Sequence, residues 1–333
     1  MQEASGSSNP LINYLSGTPP LRANLSLINE EMAKALGTDS EPGILYEAST
    51  HPIRSGGKRL RPMLSLIACE AVRGEILKAL PVAVAIELIH TASLIHDDLI
   101  DEDLERRGSS TVHVKYGSEA AILSGDLLIS KAMQILSSSP SRIRETISWA
   151  CTQMCEGEYM DMTFKKHPEA VTEENYLKMV RKKTGALVKA AAECGGIIGG
   201  GSEQQVEALS KYGESVGLSL QLRDDVHEIL TVEAMPTTST SNCLLGEGSN
   251  LVLIHSFNNS DEYSRNFLRS LIASDRDCHR VRDAIGLLQN STSIQHVQNL
   301  SEKFEEEAKK AINGMDFCNQ EVLEDLAELV SRY

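Results

Sequence analysis

Between Ile86 and Gly108 the chain reads IELIHTASLIHDDLIDEDLERRG. This apolar run at helical spacing ends in the carboxylates Asp97, Asp98 and Asp101 and closes on Arg106 and Arg107. On a helix, positions i and i+4 share a face, so Asp97 and Asp101 point the same way, one turn apart. Like charges placed so closely repel unless a cation lies between them. All-oxygen donors at this spacing suit Mg²⁺, which binds through one or two carboxylates and completes its shell with water and substrate phosphates. The two arginines offer forked donors that match phosphate oxygens. An acidic cluster at a helix end is commonly a solvated surface, but a solvated face does not need apolar residues running up to the acids. A second acidic pair, Asp224 and Asp225, again closes an apolar helical run and carries Glu228 in the next turn. Apolar stem, acidic rim and cationic flank describe a site for a diphosphate with a greasy tail.

Composition narrows the partners. With 333 residues, 41% hydrophobic and 24% charged, the chain can bury a full core in one large domain or two ordinary ones. A net charge of −15 argues against nucleic acid and against anionic membrane surfaces, since both need a basic face. The same charge would repel a diphosphate unless a metal and local Lys or Arg invert the field. Seven scattered cysteines fit a reducing compartment, and the cytoplasm is the expected location. No run of about 18 consecutive apolar residues occurs, so no membrane span is expected.

Taken in order, residues 1–20 read as a flexible Ser/Gly/Pro-rich lead-in, and residues 21–333 as one domain. A short amphipathic helix is expected over 24–37. Gly56-Gly57 marks a turn, and Leu60–Val72 resumes helix. Lys58, Arg59 and Arg61 therefore cluster at a helix start, the wrong end for cations unless an anion binds there. A central helix follows over roughly 79–104. Further helices are expected over 142–165, where Glu158 and Asp161 lie near the end, and over 202–230. Lys183-Thr184-Gly185 puts a cation, a hydroxyl and a glycine inside a helix. Such a glycine costs about 1 kcal/mol relative to Ala, so a ligand or another helix should approach closely there. Residues 231–250 form a polar loop without a single Lys or Arg. No strand alternation or βαβ unit appears. The expected fold is all-α, a single-domain helical bundle around a deep central cavity that brings the two acidic helix ends together.

Several segments together resemble the trans-isoprenyl diphosphate synthase (polyprenyl synthetase) family: GGKRLRP at 56–62, HDDLIDEDLERRG at 96–108, AILSGDLL at 121–128, EGEYMDM at 156–162, KTGAL at 183–187 and QLRDD at 221–225. They fall in the family's order and cover nearly the whole chain. The resemblance implies an isoprenoid-synthase-type bundle, usually a homodimer, although a heteromer also occurs. It also implies Mg-dependent condensation of an allylic diphosphate (C10–C20) with isopentenyl diphosphate, releasing pyrophosphate. By the same resemblance, Asp97, Asp98, Asp101, Asp224, Asp225 and Glu228 hold three Mg²⁺ ions. Lys58, Arg61, His90 and Arg107 hold isopentenyl diphosphate, and Arg106 and Lys183 hold the allylic diphosphate. Thr184 and Gln221 face the cation that forms. Product length in the family depends on side chains below the first aspartate motif. Here these are Ile89, Ala92 and Ser93, and the two small ones point to a product of C20 or longer.

Four departures stand out. Glu228 occupies a position where the family usually has Asp, Leu220 replaces Phe, and Ser110 replaces Pro. The 231–250 stretch lacks the lysines that normally reach the allylic diphosphate, with Gly246-Glu247-Gly248 in their place. These leave open a terpene cyclase, an unusual-acceptor prenyltransferase, or a non-catalytic subunit on the same fold.

Overall fold

Helical periodicity carries through nearly the whole chain. The computed structural model describes residues 10–37, 41–231, 249–273 and 278–332. The helices are α1 (Pro10–Gly17), α2 (Pro19–Leu36), α3 (Gly43–Arg54), α4 (Leu60–Ala71), α5 (Ile76–Ile100), α6 (Val112–Tyr116), α7 (Ser118–Leu136) and α8 (Ser141–Lys166). They continue with α9 (Glu173–Val180), α10 (Ala186–Ile198), α11 (Glu203–Thr231), α12 (Leu251–Asn259), α13 (Glu262–Ala273), α14 (Cys278–Gln289), α15 (Ser293–Ile312) and α16 (Gln320–Arg332). A π-helical turn, Arg181–Gly185, joins α9 to α10. Among the described residues the only strand pairing is a two-residue ribbon, Glu105–Arg106 (β1) against Ser109–Ser110 (β2). Its turn residues Arg107 and Gly108 both have positive φ, 54° and 72°, as this tight hairpin requires. The all-α expectation holds.

From Val82 to Ile89 every residue of α5 is buried. A helix apolar on all sides must be surrounded, and α2, α4, α7 and α10 surround it. By length and hydropathy α5 could cross a membrane, but 72% of its most apolar stretch is buried inside the protein, which marks a core helix. The second acidic motif rides on α11, which packs against α10 and α15. Leu222, Val226 and Ile229 of α11 join Tyr176, Phe257 and Phe304 in a second apolar cluster. Earlier on α11, Leu209, Tyr212, Val216 and Leu220 belong to the main core together with α5; two long helices thus carry the two acidic ends.

The N-terminal lead-in is shorter than expected. Residues 10–17 are helical, Leu11 and Leu15 are buried, and the Tyr14 hydroxyl donates to Asp325 at 2.9 Å. The prolines that read as linker signals begin helices instead: Pro10 opens α1 and Pro19 opens α2, where a missing N–H costs nothing. Gly37 stops α2 as expected, with φ of 69°.

Glycine lets α10 lie close against α4. A Cβ added at Gly195 would come within 2.2 Å of the Ser65 carbonyl oxygen and 2.8 Å of Ala68 Cβ. Backbone on a packed helix cannot yield cheaply, so Gly195→Ala is expected to destabilise by about 1–3 kcal/mol. Gly286 in α14 meets nothing within 4 Å, so Gly286→Ala should be neutral or gain up to about 1 kcal/mol of helix propensity. Urea denaturation midpoints of the two variants check the contrast.

Candidate active site

The carboxyl end of α5 delivers three acids in two directions. Asp97 and Asp101, four residues apart, face a rim shared with α8 and the π turn. Asp97 Oδ1 accepts from Lys183 Nζ at 3.1 Å, and Asp101 Oδ1 accepts from Lys165 Nζ at 2.5 Å. Lys183 Nζ also reaches Asp161 at 2.7 Å and Glu158 at 2.8 Å. Two ammonium groups are therefore interleaved among four carboxylates, as like charges in a buried rim demand. Asp98 turns the other way. It is 3% exposed and accepts from Arg106 Nε, holding the guanidinium whose Nη2 lies 3.7 Å from Asp97 Oδ2. Asp98, expected among the metal donors, braces an arginine here.

The π turn sets Lys183 and Thr184. A Cβ at Gly157 of α8 would lie 2.3 Å from the Lys183 backbone nitrogen, and one at Gly217 of α11 would lie 2.9 Å from Gly185 Cα. The close helix approach expected at Gly185 is thus made by Gly217. Thr184 Oγ1 donates to Gln221 Oε1 at 2.9 Å, bringing the two residues expected to face the cation together.

On α11 the acids again divide. Asp225 is 2% exposed and fully engaged. Its oxygens accept from the Tyr176 hydroxyl at 2.5 Å, the Leu251 backbone N–H at 3.0 Å and Gln221 Nε2 at 3.1 Å. Asp225, also expected among the metal donors, fastens α11 to α9 and α12 here. Asp224 is the accessible member and pairs with Lys58 Nζ at 3.5 Å, linking the start of α4 to the second motif. Glu228 Oε2 accepts from Asn250 Nδ2 at 2.9 Å, and that amide also reaches the Asp225 carbonyl. Gly246-Glu247-Gly248, and the expected loop through residue 248, lie outside the described residues.

A second cationic group sits beside α5, around His90. Arg61 Nη1 lies 3.2 Å from His90 Nε2. Burial first, then Arg61, Arg107, Arg106 and Arg59, push the His90 pKa well below its ordinary value. The ring is neutral, and since arginine only donates, Nε2 is the acceptor and Nδ1 carries the proton. Arg61 Nε is buried without a partner. Arg107 donates to the Gly56 carbonyl, tying the hairpin turn to the Gly56-Gly57 loop. Arg59 belongs to the scaffold instead: it is 7% exposed, pairs with Glu87 at 2.8 Å and donates to the Ile53 carbonyl. Below Asp97 on the same stripe of α5 lie Ser93 and Ile89. Ser93 is half-buried with its Oγ donating to the His90 carbonyl, and Ile89 and its neighbour Ala92 are buried.

The donor set fits a hard divalent cation. It is all oxygen, and Asp101 Oδ2 and Glu158 Oε1 are buried with no hydrogen-bond partner. Among the described residues no three acids converge as a preformed cage, which agrees with an ion that takes few protein ligands and many from water and phosphate. Lys165, Tyr176 and Asn250 escaped sequence reasoning. Lys165 had a signal, since it stands four residues after Asp161 on one helix. Tyr176 and Asn250 had none, because their partners lie far along the chain.

The family model for polyprenyl synthetase matches residues 42–288. The chain belongs to that family. Its relatives include a geranylgeranyl diphosphate synthase of Methanosarcina mazei, 37% identical over 85% of this chain and 88% of that protein. The octaprenyl diphosphate synthase of Escherichia coli is 30% identical over 88% of this chain and 92% of its own length. Among solved structures, geranylgeranyl pyrophosphate synthetase from Pyrococcus horikoshii superposes with a TM-score of 0.86 at 34% identity, covering 97% of this chain and 98% of that one. In this polyprenyl synthetase the aspartate motifs therefore occupy a shared helical frame.

Rim burial has a pH signature. Burial raises Asp98 and Asp101 to about 6 and Glu158 and Asp225 to about 7, against ordinary values of 3.8 for Asp and 4.5 for Glu. Between the ordinary and raised values the folded protein holds more protons than the unfolded chain, so these groups lose stability as pH rises through that window. For Asp97, burial works upward, but Lys183 and Arg106 hold it below 3.8, so its opposite contribution falls outside that range. His90 and His255, held below 6.5, act with the opposite sign, because below that value the unfolded chain takes up the protons they refuse; with four acids against two rings, the chelator-treated protein should melt lower at pH 7.5 than at pH 5.5. Millimolar Mg²⁺ should raise the melting temperature more at pH 7.5, where the rim is ionised. Differential scanning fluorimetry at both pH values checks both signs.

Proposed function

We propose that the chain is a trans-prenyltransferase that condenses an allylic diphosphate of C10–C20 with isopentenyl diphosphate. It releases pyrophosphate and builds a polyprenyl diphosphate of C20 or longer. The carrying observation is that two distinct cationic groups flank one acidic rim. Lys183 and Arg106 are laced into the Asp97 side, while Arg61 and Arg107 gather near neutral His90 and Lys58 pairs with Asp224. A cyclase acting on one diphosphate has no use for the second group.

Enzymes of this family depend on Mg²⁺; bound at Asp97, Asp101 and Asp224, as three ions on our reading, it supplies the charge that lets the allylic diphosphate depart. Lys183 and Arg106 hold that diphosphate, and Arg106 is kept in place by Asp98. Thr184 and Gln221 turn oxygens toward the allylic cation left when the C1–O bond breaks. Arg61, Arg107, Lys58 and His90 hold isopentenyl diphosphate so that its double bond forms the new C–C bond. The proton then lost passes to the departing pyrophosphate, so no side-chain base is needed. Ser93 and Ala92 leave room for the growing chain below the rim. Ile122 and Met133, eleven residues apart and so on one stripe of α7, remain exposed beside Leu123, which supports a homodimer through α7. The free thiols of Cys69, Cys151, Cys155, Cys194 and Cys318 support a reducing, cytoplasmic setting.

The purified protein with Mg²⁺ and farnesyl or geranylgeranyl diphosphate should yield longer diphosphates only when labelled isopentenyl diphosphate is present. Hydrocarbon or alcohol products without it would indicate a cyclase, and no turnover with any allylic substrate would indicate a subunit. Asp97→Ala and Asp101→Ala should each lower kcat/KM by at least about 100-fold with the circular dichroism spectrum retained; near-normal turnover in either would sink the metal assignment. Ser93→Phe should shorten the product while leaving condensation intact, read by chromatography of the dephosphorylated prenols.

A further inference from the structure

Lys165 has no part in the roles above, yet it sits in the rim. It stands in the last turn of α8, where a cation is favoured by the helix dipole. Its Nζ lies 2.5 Å from Asp101 Oδ1 and 3.8 Å from Asp161 Oδ2, with the side chain 15% exposed. The other ammonium of the rim, Lys183, is shared among Asp97, Glu158 and Asp161. Arg106 is divided among Asp97, Asp98 and Asp103. Residues 231–250, which follow the second motif directly, contain no Lys or Arg. The cation for an incoming diphosphate must therefore come from elsewhere in the chain. Lys165 is the rim ammonium whose short contact is to a single carboxylate, one whose other oxygen is buried and unpartnered.

We propose that Lys165 is a ligand of the allylic diphosphate: it holds Asp101 in the metal-free protein and turns to the diphosphate oxygens once Asp101 is given to Mg²⁺. The inference rests on the reading of the rim as a Mg-diphosphate site. A four-carbon stem with rotatable donors can make this exchange without moving α8. The ammonium displaced from Asp101 stays at the same rim, so the substitution of one anion for another conserves its charge pairing.

Two binding constants with opposite expected signs separate this role from simple support of the helix end. The probes are Mn²⁺ alone and inorganic pyrophosphate at saturating Mg²⁺, measured by titration calorimetry on the full chain. Lys165→Ala should bind Mn²⁺ more tightly, because Asp101 is released, and pyrophosphate about tenfold more weakly, because a charged hydrogen bond is lost. Lys165→Arg should keep pyrophosphate affinity within about threefold of the parent. Lys165→Gln, which keeps most of the stem, carries the same comparison if the alanine variant folds poorly. In turnover, the KM for the allylic diphosphate should rise while that for isopentenyl diphosphate stays unchanged. Unchanged pyrophosphate affinity in the neutral variants overturns the proposal, as does a parallel fall in Mn²⁺ and pyrophosphate binding, which would mark a structural tie. A parent protein with no Mg-dependent pyrophosphate binding overturns the site reading and this inference together.

Discussion

The structure depends on keeping four carboxylates within one partly buried rim. Asp97, Asp101, Glu158 and Asp161 come from two helices, and without cations their mutual repulsion in a region of low polarizability would push those helices apart. Lys183 and Lys165 prevent this by standing between them. Burial works to lower the Lys183 pKa, but Asp97, Asp161 and Glu158 outweigh it and hold the ammonium firmly charged. Each lysine thus offsets part of the negative charge that its neighbouring carboxylates bring to the rim.

Around that rim the scaffold works through close backbone contacts and fully satisfied polar groups. Gly157 and Gly217 let α8 and α11 approach the π turn from two sides, so Lys183 and Thr184 sit on backbone that cannot drift. Tyr176, Leu251 and Gln221 saturate Asp225, and Gln221 in turn receives Thr184. One chain of hydrogen bonds therefore runs from Tyr176 in the second apolar cluster through Asp225 and Gln221 to Thr184 in the π turn. The extra residue of a π turn is often retained at functional positions, and here it lies between the two sides of the site.

Much of this was legible in the sequence. The long apolar runs ending in acids at Asp97 and Asp224 located the two helix ends, because a helical period is a local property. The neighbours Asp98 and Asp225 were not separable from Asp97 and Asp224 by sequence: consecutive residues point about 100° apart, and which of two directions faces the rim depends on how helices pack. Gly185 did signal a close approach, though not that Gly217 makes it. Helix α1 was read as linker because Pro10 and Pro19 are breakers inside a helix and starters at its first turn. Nothing in Arg181–Gly185 announces a π turn, since that geometry is imposed by the neighbours. The spacing of Lys165 signals a pairing with Asp161 only; its contact with Asp101, 64 residues away, comes from packing.

The apolar centre of α5 has a consequence for synthesis. Its cover comes partly from α4, already made, but also from α7 and from α10, whose last residue is Ile198. At translation speeds of about 5–20 residues per second, the roughly one hundred residues separating α5 from the end of α10 take on the order of 5–20 s to emerge. For that interval a helix apolar enough to enter a bilayer is outside the ribosome without its full packing partners. The nascent chain is accordingly most vulnerable to misdirection and aggregation midway through translation, and the speed at which α6 to α10 are delivered bears on how much protein survives to fold.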